Sequence, residues 1–270
     1  MSSFITIKSV INRLGAAMML PLLFIQTPFS FSDPAQTSLQ TTSETAINLY
    51  RADYSARFSG LEIEAVQRLE EIEPGVYRES LVAKNFLGKI DEQSTFKLTK
   101  NQQLRPTEYH YTRSIFGSTR TEVQRFDWQN NTVHYQKDES TKETELQAGQ
   151  LDMITHRLQL RRDLNAGEKT FSYPVISRGK LKQYHYRVAG EEVLHTALGP
   201  LRTVKVERTN ASDDRSFTAW LASDWDHLIV KLEQQKNGDS HQLELRGAVI
   251  NNQTVRPINS DHKTRDGSTL

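Results

Sequence analysis

Apolar and polar residues alternate one for one over Tyr50, Ala52, Tyr54, Ala56 and Phe58, with Arg51, Asp53, Ser55 and Arg57 between them. Successive side chains of a strand point to opposite faces, so this stretch predicts a strand with one apolar face. The pattern recurs along the chain. Ile63, Ala65 and Leu69 predict a second strand that stops at Glu73-Pro74-Gly75. Further strands are predicted over 76–83, 90–98, 104–113, 119–128 and 132–136, and later over 169–177, 180–188, 192–196, 201–209, 216–222, 227–234 and 241–247. Strands this short and closely spaced, joined by Gly, Asn and Ser turns, predict antiparallel all-β architecture. Arg178-Gly179 is the expected turn of one hairpin.

One segment departs from the two-residue period. Met153, Ile154, Arg157, Leu158, Arg161 and Arg162 suit helical spacing, with Asp152 placed to cap the start and Asn165-Ala166-Gly167 to end it. The expected fold is therefore all-β with one short helix: a curved antiparallel sheet, or partly open β-barrel, that the helix plugs or leans on.

The N-terminus has a different grammar. Lys8 and Arg13 precede an apolar run from Leu14 to Ile25, and Ser30-Phe31-Ser32 offers small residues to a signal peptidase. That run is about 12 residues, short of the roughly 20 that a spanning helix needs. The expected organisation is a signal peptide over 1–32, a flexible leader over 33–46, a single β domain over 47–250 and a polar tail over 251–270. Lys8 and Arg13 leave with the signal peptide and no acid does, which moves the formal charge from +1 to −1. A near-neutral domain has no global electrostatic reason to bind nucleic acid, although a local basic patch is compatible with it. The chain has no cysteine. Disulfides, thiolate metal sites, cysteine nucleophiles and a lipid-bearing N-terminal thiol are thereby excluded. Export to the periplasm without a lipid anchor or a transmembrane segment is the expectation.

Catalytic motifs are absent from the sequence. The eight histidines include no pair at helical ligand spacing, and His110, His134 and His185 would need three strands to bring them together. There is no Gly-x-Ser-x-Gly elbow and no Gly-rich phosphate loop. Asp91-Glu92 and Asp213-Asp214 are adjacent carboxylates, which in a strand face opposite ways. No catalytic residue, metal or cofactor is expected. The candidate binding residues are aromatic and basic. Tyr50, Tyr54 and Phe58 share one strand face, Phe126 and Trp128 share another, and Trp220 lies in a third strand. These rings either fill a core or line a cavity. Arg157 and Arg161 share a helix face, which either meets an anionic group or is simply solvated.

Several segments resemble the domain-of-unknown-function 3108 family of exported bacterial proteins. They are Leu49-Tyr50-Arg51-Ala52-Asp53-Tyr54, Arg125-Phe126-Asp127-Trp128, residues 151–164, residues 198–206 and Ala219-Trp220-Leu221-Ala222. Together they span most of residues 47–248. Ile229 departs from the pattern, standing where a proline is expected. The resemblance implies an exported β domain, loosely like the half-open barrels of periplasmic lipoprotein carriers, and fold alone does not set function. Two roles follow as expectations. One is a non-catalytic binding module for a lipid or other envelope ligand. The other is a structural protein that docks onto cell-envelope machinery. The oligomeric state is not legible.

Overall fold

The computed structural model describes residues 47–58, 61–211, 215–236 and 239–258. The expected signal peptide, most of the leader and the end of the tail lie outside these residues. The strands are β1 (Tyr50–Phe58), β2 (Leu61–Glu73), β3 (Val76–Asn85), β4 (Gly88–Leu98), β5 (Leu104–Ile115), β6 (Ser118–Asp127), β7 (Thr132–Lys137) and β8 (Ser140–Glu145). The helix α1 (Thr155–Asn165) follows, then β9 (Thr170–Ile176), β10 (Leu181–Thr196), β11 (Gly199–Arg208), β12 (Arg215–Ala222), β13 (Leu228–Lys236), β14 (Asp239–Ile250) and β15 (Gln253–Thr254).

All the strands form one antiparallel sheet in the order β8-β7-β6-β5-β4-β3-β2-β1-β14-β13-β12-β11-β10-β9, with β15 added beside β14. Two meanders, β1–β8 and β9–β14, are thus zipped together by the first and last long strands, where Tyr50 faces Ile250. The twist of the sheet rolls it round until its two edges approach. Thr144 of β8 donates its hydroxyl to the carbonyl of Gly179, 2.8 Å away. Leu151, just past β8, makes a short parallel bridge to Val175 of β9. No ladder joins β8 to β9, so the sheet stays open.

Expected and observed elements differ at three places, the first being β15, which lies within the expected polar tail and pairs with β14. β8 is Ser-Thr-Lys-Glu-Thr-Glu, with no apolar residue to reveal it, and pairing with β7 alone makes it a strand. The expected strands 180–188 and 192–196 are one strand, β10, continuous through a bulge between Val188 and Gly190. A bulge inserts an unpaired residue without ending a strand.

Helix α1 sits against the concave face of the sheet. Asp152 accepts hydrogen bonds from the backbone N–H groups of Ile154 and Thr155 at 2.8 and 2.7 Å, so the expected carboxylate satisfies the first orphan donors of the helix. Leu158, Leu160 and Leu164 are buried in the main core with Tyr50, Tyr54, Leu69, Phe96 and Leu245. A second, smaller core joins Tyr109, Phe126, Val133 and Leu146 to Ile154 and Ile176, on the side where the two edges meet.

Candidate functional site

The concave face divides in two. Beside α1 its residues are buried, as at Tyr54, Ala65 and Leu245. Cross-strand partners share a face. The same faces continue towards the β1–β2, β3–β4 and β5–β6 turns through Ala56, Ile63, Ala83, Ile90, Tyr111 and Leu243, and there every residue is only half-buried. The helix has filled one half and left the other hollow. A cavity of about 540 Å³ lies in that empty half, lined by Ile63, Ala83, Ile90, Tyr111 and Ile115, with Arg113 among its walls. Ligand sites commonly have volumes of about 300–1,000 Å³ and mostly apolar walls.

A network of buried polar groups forms the floor. Arg157 places one guanidinium nitrogen 3.0 and 3.1 Å from the two carboxylate oxygens of Glu92, and donates Nε to the carbonyl of Met153. The Tyr109 hydroxyl donates to the same Glu92. Asp152 takes the Ser94 hydroxyl. Burial pushes the Asp152 carboxyl above the usual carboxylate range, against the pull of its hydrogen bonds. His156 is fully buried between the Asp152 carbonyl and the Tyr186 hydroxyl, each 3.1 Å away. Burial first, and then the Arg157 charge, push its pKa down to about 3, so the ring is neutral. Behind these, Glu79 accepts from Tyr50 at 2.7 Å and Gln67 at 2.6 Å, and burial raises its pKa.

The rim of the concave face is basic. Arg208 faces inward opposite Tyr186 and stacks its guanidinium 4.1 Å over the Tyr184 ring. Lys182 faces inward opposite Val175. Its ammonium is held below the ordinary lysine range by partial burial, and then by repulsion from Arg178, Arg208, Arg215 and Lys180. The buried Glu122 meets Arg178 at 3.7 Å. A lysine crowded by four like charges marks a place where an anion would be stabilised.

The expected binding residues are dispersed. Tyr50 and Tyr54 lie in the core at the floor, and the Tyr54 hydroxyl donates to the carbonyl of Ile229. Phe58 stands at the register position opposite Leu61. Phe126 belongs to the second core. Trp128 is half-buried beyond β6, donating to the Pro106 carbonyl under the Arg105 guanidinium. Trp220 points the other way. It faces the convex side with its cross-strand neighbours Lys205 and Lys231, whose ammonium groups lie 5.5 and 4.8 Å from its ring. Arg157 reaches Glu92, and Arg161 is buried against Asp226 at 2.8 Å and over the Tyr50 ring. A further cavity of about 430 Å³ opens beside Arg161 and Asp226 at the C-terminal end of α1, with Arg162, Asp163 and Asn165 beside Ile47 and Leu158 in its mixed wall. Sequence reasoning did not single out Tyr111, Arg113, Lys182 or Arg208. Their signal was an alternation of apolar and basic residues on strands whose common face only the register reveals. His110, His134 and His185 lie on the convex face of three separate strands, the first two beside Glu108 and Glu143. Among the described residues no three metal-ligating side chains cluster.

This geometry defines a class: an open, rolled antiparallel sheet with an internal helix and a hollow at one end. The chain belongs to the family described as "Protein of unknown function (DUF3108)", which its residues 50–246 match. Among solved structures it is similar to a β-barrel-like protein of domain of unknown function DUF1849 from Brucella abortus. That likeness has a TM-score of 0.51 and 11% identity, and covers 75% of this chain and 98% of that chain. It extends to the fold alone. The lipoprotein LppX of Mycobacterium tuberculosis is 15% identical over 79% of this chain and 90% of that chain, but at a TM-score of 0.24, below the level of a shared fold. No curated protein sequence matches the chain significantly. Among the described residues no helix is long and apolar enough to cross a membrane.

Proposed function

We propose that the chain is an exported, non-catalytic module that holds a lipid or similar amphiphile of the cell envelope. Cleavage after Ser32 would release it into the periplasm. The apolar part of the ligand occupies the hollow between β2 and β5, and an anionic group lies towards Arg113, Lys182 and Arg208. Tyr50 and Tyr54 pack into the floor, and Arg157 and Arg161 hold it through their own carboxylate partners. The observation that carries this reading is the 540 Å³ apolar hollow on the concave face, with an arginine in its wall. A domain that only needed a core would gain by filling it, because unfilled apolar walls forgo packing.

Native mass spectrometry of the full chain, purified gently and then extracted with organic solvent, tests the proposal. An added mass that disappears on extraction is the expected result and identifies the ligand class. A clean apo mass that persists after incubation with envelope lipids would overturn it and favour a docking or structural role.

A further inference from the structure

Two neighbouring hairpin tips at the open end share a pattern that the fold does not explain. Phe86 at the β3–β4 tip is 85% exposed and Phe116 at the β5–β6 tip is 79% exposed. Neither ring packs into a core. Phe116 also adopts a left-handed backbone, with φ of 50°, which a bulky residue enters only with strain. Both tips are nevertheless held firmly. The Asn85 side chain accepts from the N–H groups of Leu87 and Gly88, and the Phe116 N–H donates to the Leu87 carbonyl at 3.1 Å, tying one tip to the other.

Just below each phenylalanine the hairpin carries two like charges directly opposite one another. Lys84 faces Lys89 across β3–β4, and Arg113 faces Arg120 across β5–β6. Opposed like charges destabilise a strand pair. Residues 81–90 and 112–121 contain these four cations and no acid. Asp91 compensates Lys89 at 2.8 Å. Glu64 of β2 stands directly opposite Lys84, whereas Arg113 and Arg120 face only each other across their hairpin, and Asp138 and Glu139 lie on the β7–β8 tip.

We infer that the β3–β4 and β5–β6 tips dock the domain on an anionic lipid bilayer, with Phe86 and Phe116 entering the interface and Lys84, Arg113 and Arg120 meeting phosphate groups. Rings at the headgroup level with basic residues behind them are how proteins settle on such surfaces. Two separate apolar tips offer far less than the roughly 800 Å² per partner of a stable protein interface, whereas a bilayer accepts them one at a time. Leu87 and Phe116 also edge the hollow, so docking would place its mouth against the lipid.

The absence of cysteine makes the test site-specific. The full chain with Phe116→Cys carries an environment-sensitive fluorophore, and Val193→Cys at the opposite end carries the same label. Vesicles of phosphatidylcholine, with and without about one third phosphatidylglycerol, are then added. A blue shift at position 116 alone, with anionic vesicles, reversed by high salt and weakened at least about tenfold by R113Q/R120Q, is expected. No shift at 116, or equal shifts at 116 and 193, would overturn the inference, as would a shift produced by a partner protein and not by vesicles. Docking can fail while an extractable ligand remains in the hollow, so the two proposals fall separately.

Discussion

Burial holds the His156 imidazole neutral, with a pKa of about 3 against an ordinary 6.5. The unfolded chain binds a proton there below pH 6.5 and the folded chain does not. Stability from this group is therefore complete above pH 6.5 and is lost as pH falls from 6.5 towards 3, by about 2 kcal/mol at pH 5. Glu79 and Asp152 act in the opposite sense, because burial raises their carboxyls. Their contribution is present at low pH and is lost as pH rises through their folded values. The His156→Gln variant isolates the histidine. Between about pH 7.5 and pH 5, urea unfolding should show the wild type losing about 2 kcal/mol more than the variant. Parallel losses would mean that the ring is solvated. Glu92 and Arg157 belong to the same scale. They are 65 residues apart, so neither announces the other in the sequence, and the contact of Arg157 with this internal carboxylate is visible only in the fold.

At the scale of elements, the β9–β10 turn holds the rolled sheet near its free edges. Arg178 and Gly179 both have positive φ, as a two-residue hairpin requires. Gly179 also donates its N–H to Gln124 and accepts from Thr144, so the turn is clamped against β6 and β8. A Cβ on Gly179 would fall 2.8 Å from the Tyr135 Cβ. Gly179→Ala should cost about 2–3 kcal/mol, through positive φ and through overpacking against β7. It should also speed hydrogen exchange in β8 and β9 before the rest of the sheet. Uniform exchange in the two proteins would show that the edges do not depend on this contact. The turn itself was legible as Arg-Gly between two alternating runs. Its clamp was not, because Gln124 and Thr144 belong to strands far away in the chain. β8 was invisible for a related reason, since an exposed polar edge strand has no hydrophobic period to betray it.

At the scale of the molecule, a helix that fills half of a rolled sheet leaves the other half available. Ala83 sits on the hollow's wall, half-buried and small. Ala83→Phe should occupy the cavity, lower the amount of extractable amphiphile by about tenfold and leave thermal unfolding within a few degrees of wild type. Undiminished ligand in that variant would place the site elsewhere, with the cavity beside Arg161 the next to probe.

What the sequence determined by itself was local. Side-chain alternation specified the strands and their apolar faces, a break in that period specified α1, and turn residues specified the hairpins. The segments named at the outset also sufficed for the family. Only the tertiary structure decided which faces meet. Register turned Trp220 outward and Tyr50 inward, though both look like wall aromatics in the sequence. It set Arg113 opposite Arg120 and gathered Lys182, Arg208 and Arg215 along one rim. The physical reason is that a strand's period of two labels its own faces, whereas the neighbour across each face comes from a ladder closed over long sequence separations, as where β1 pairs with β14.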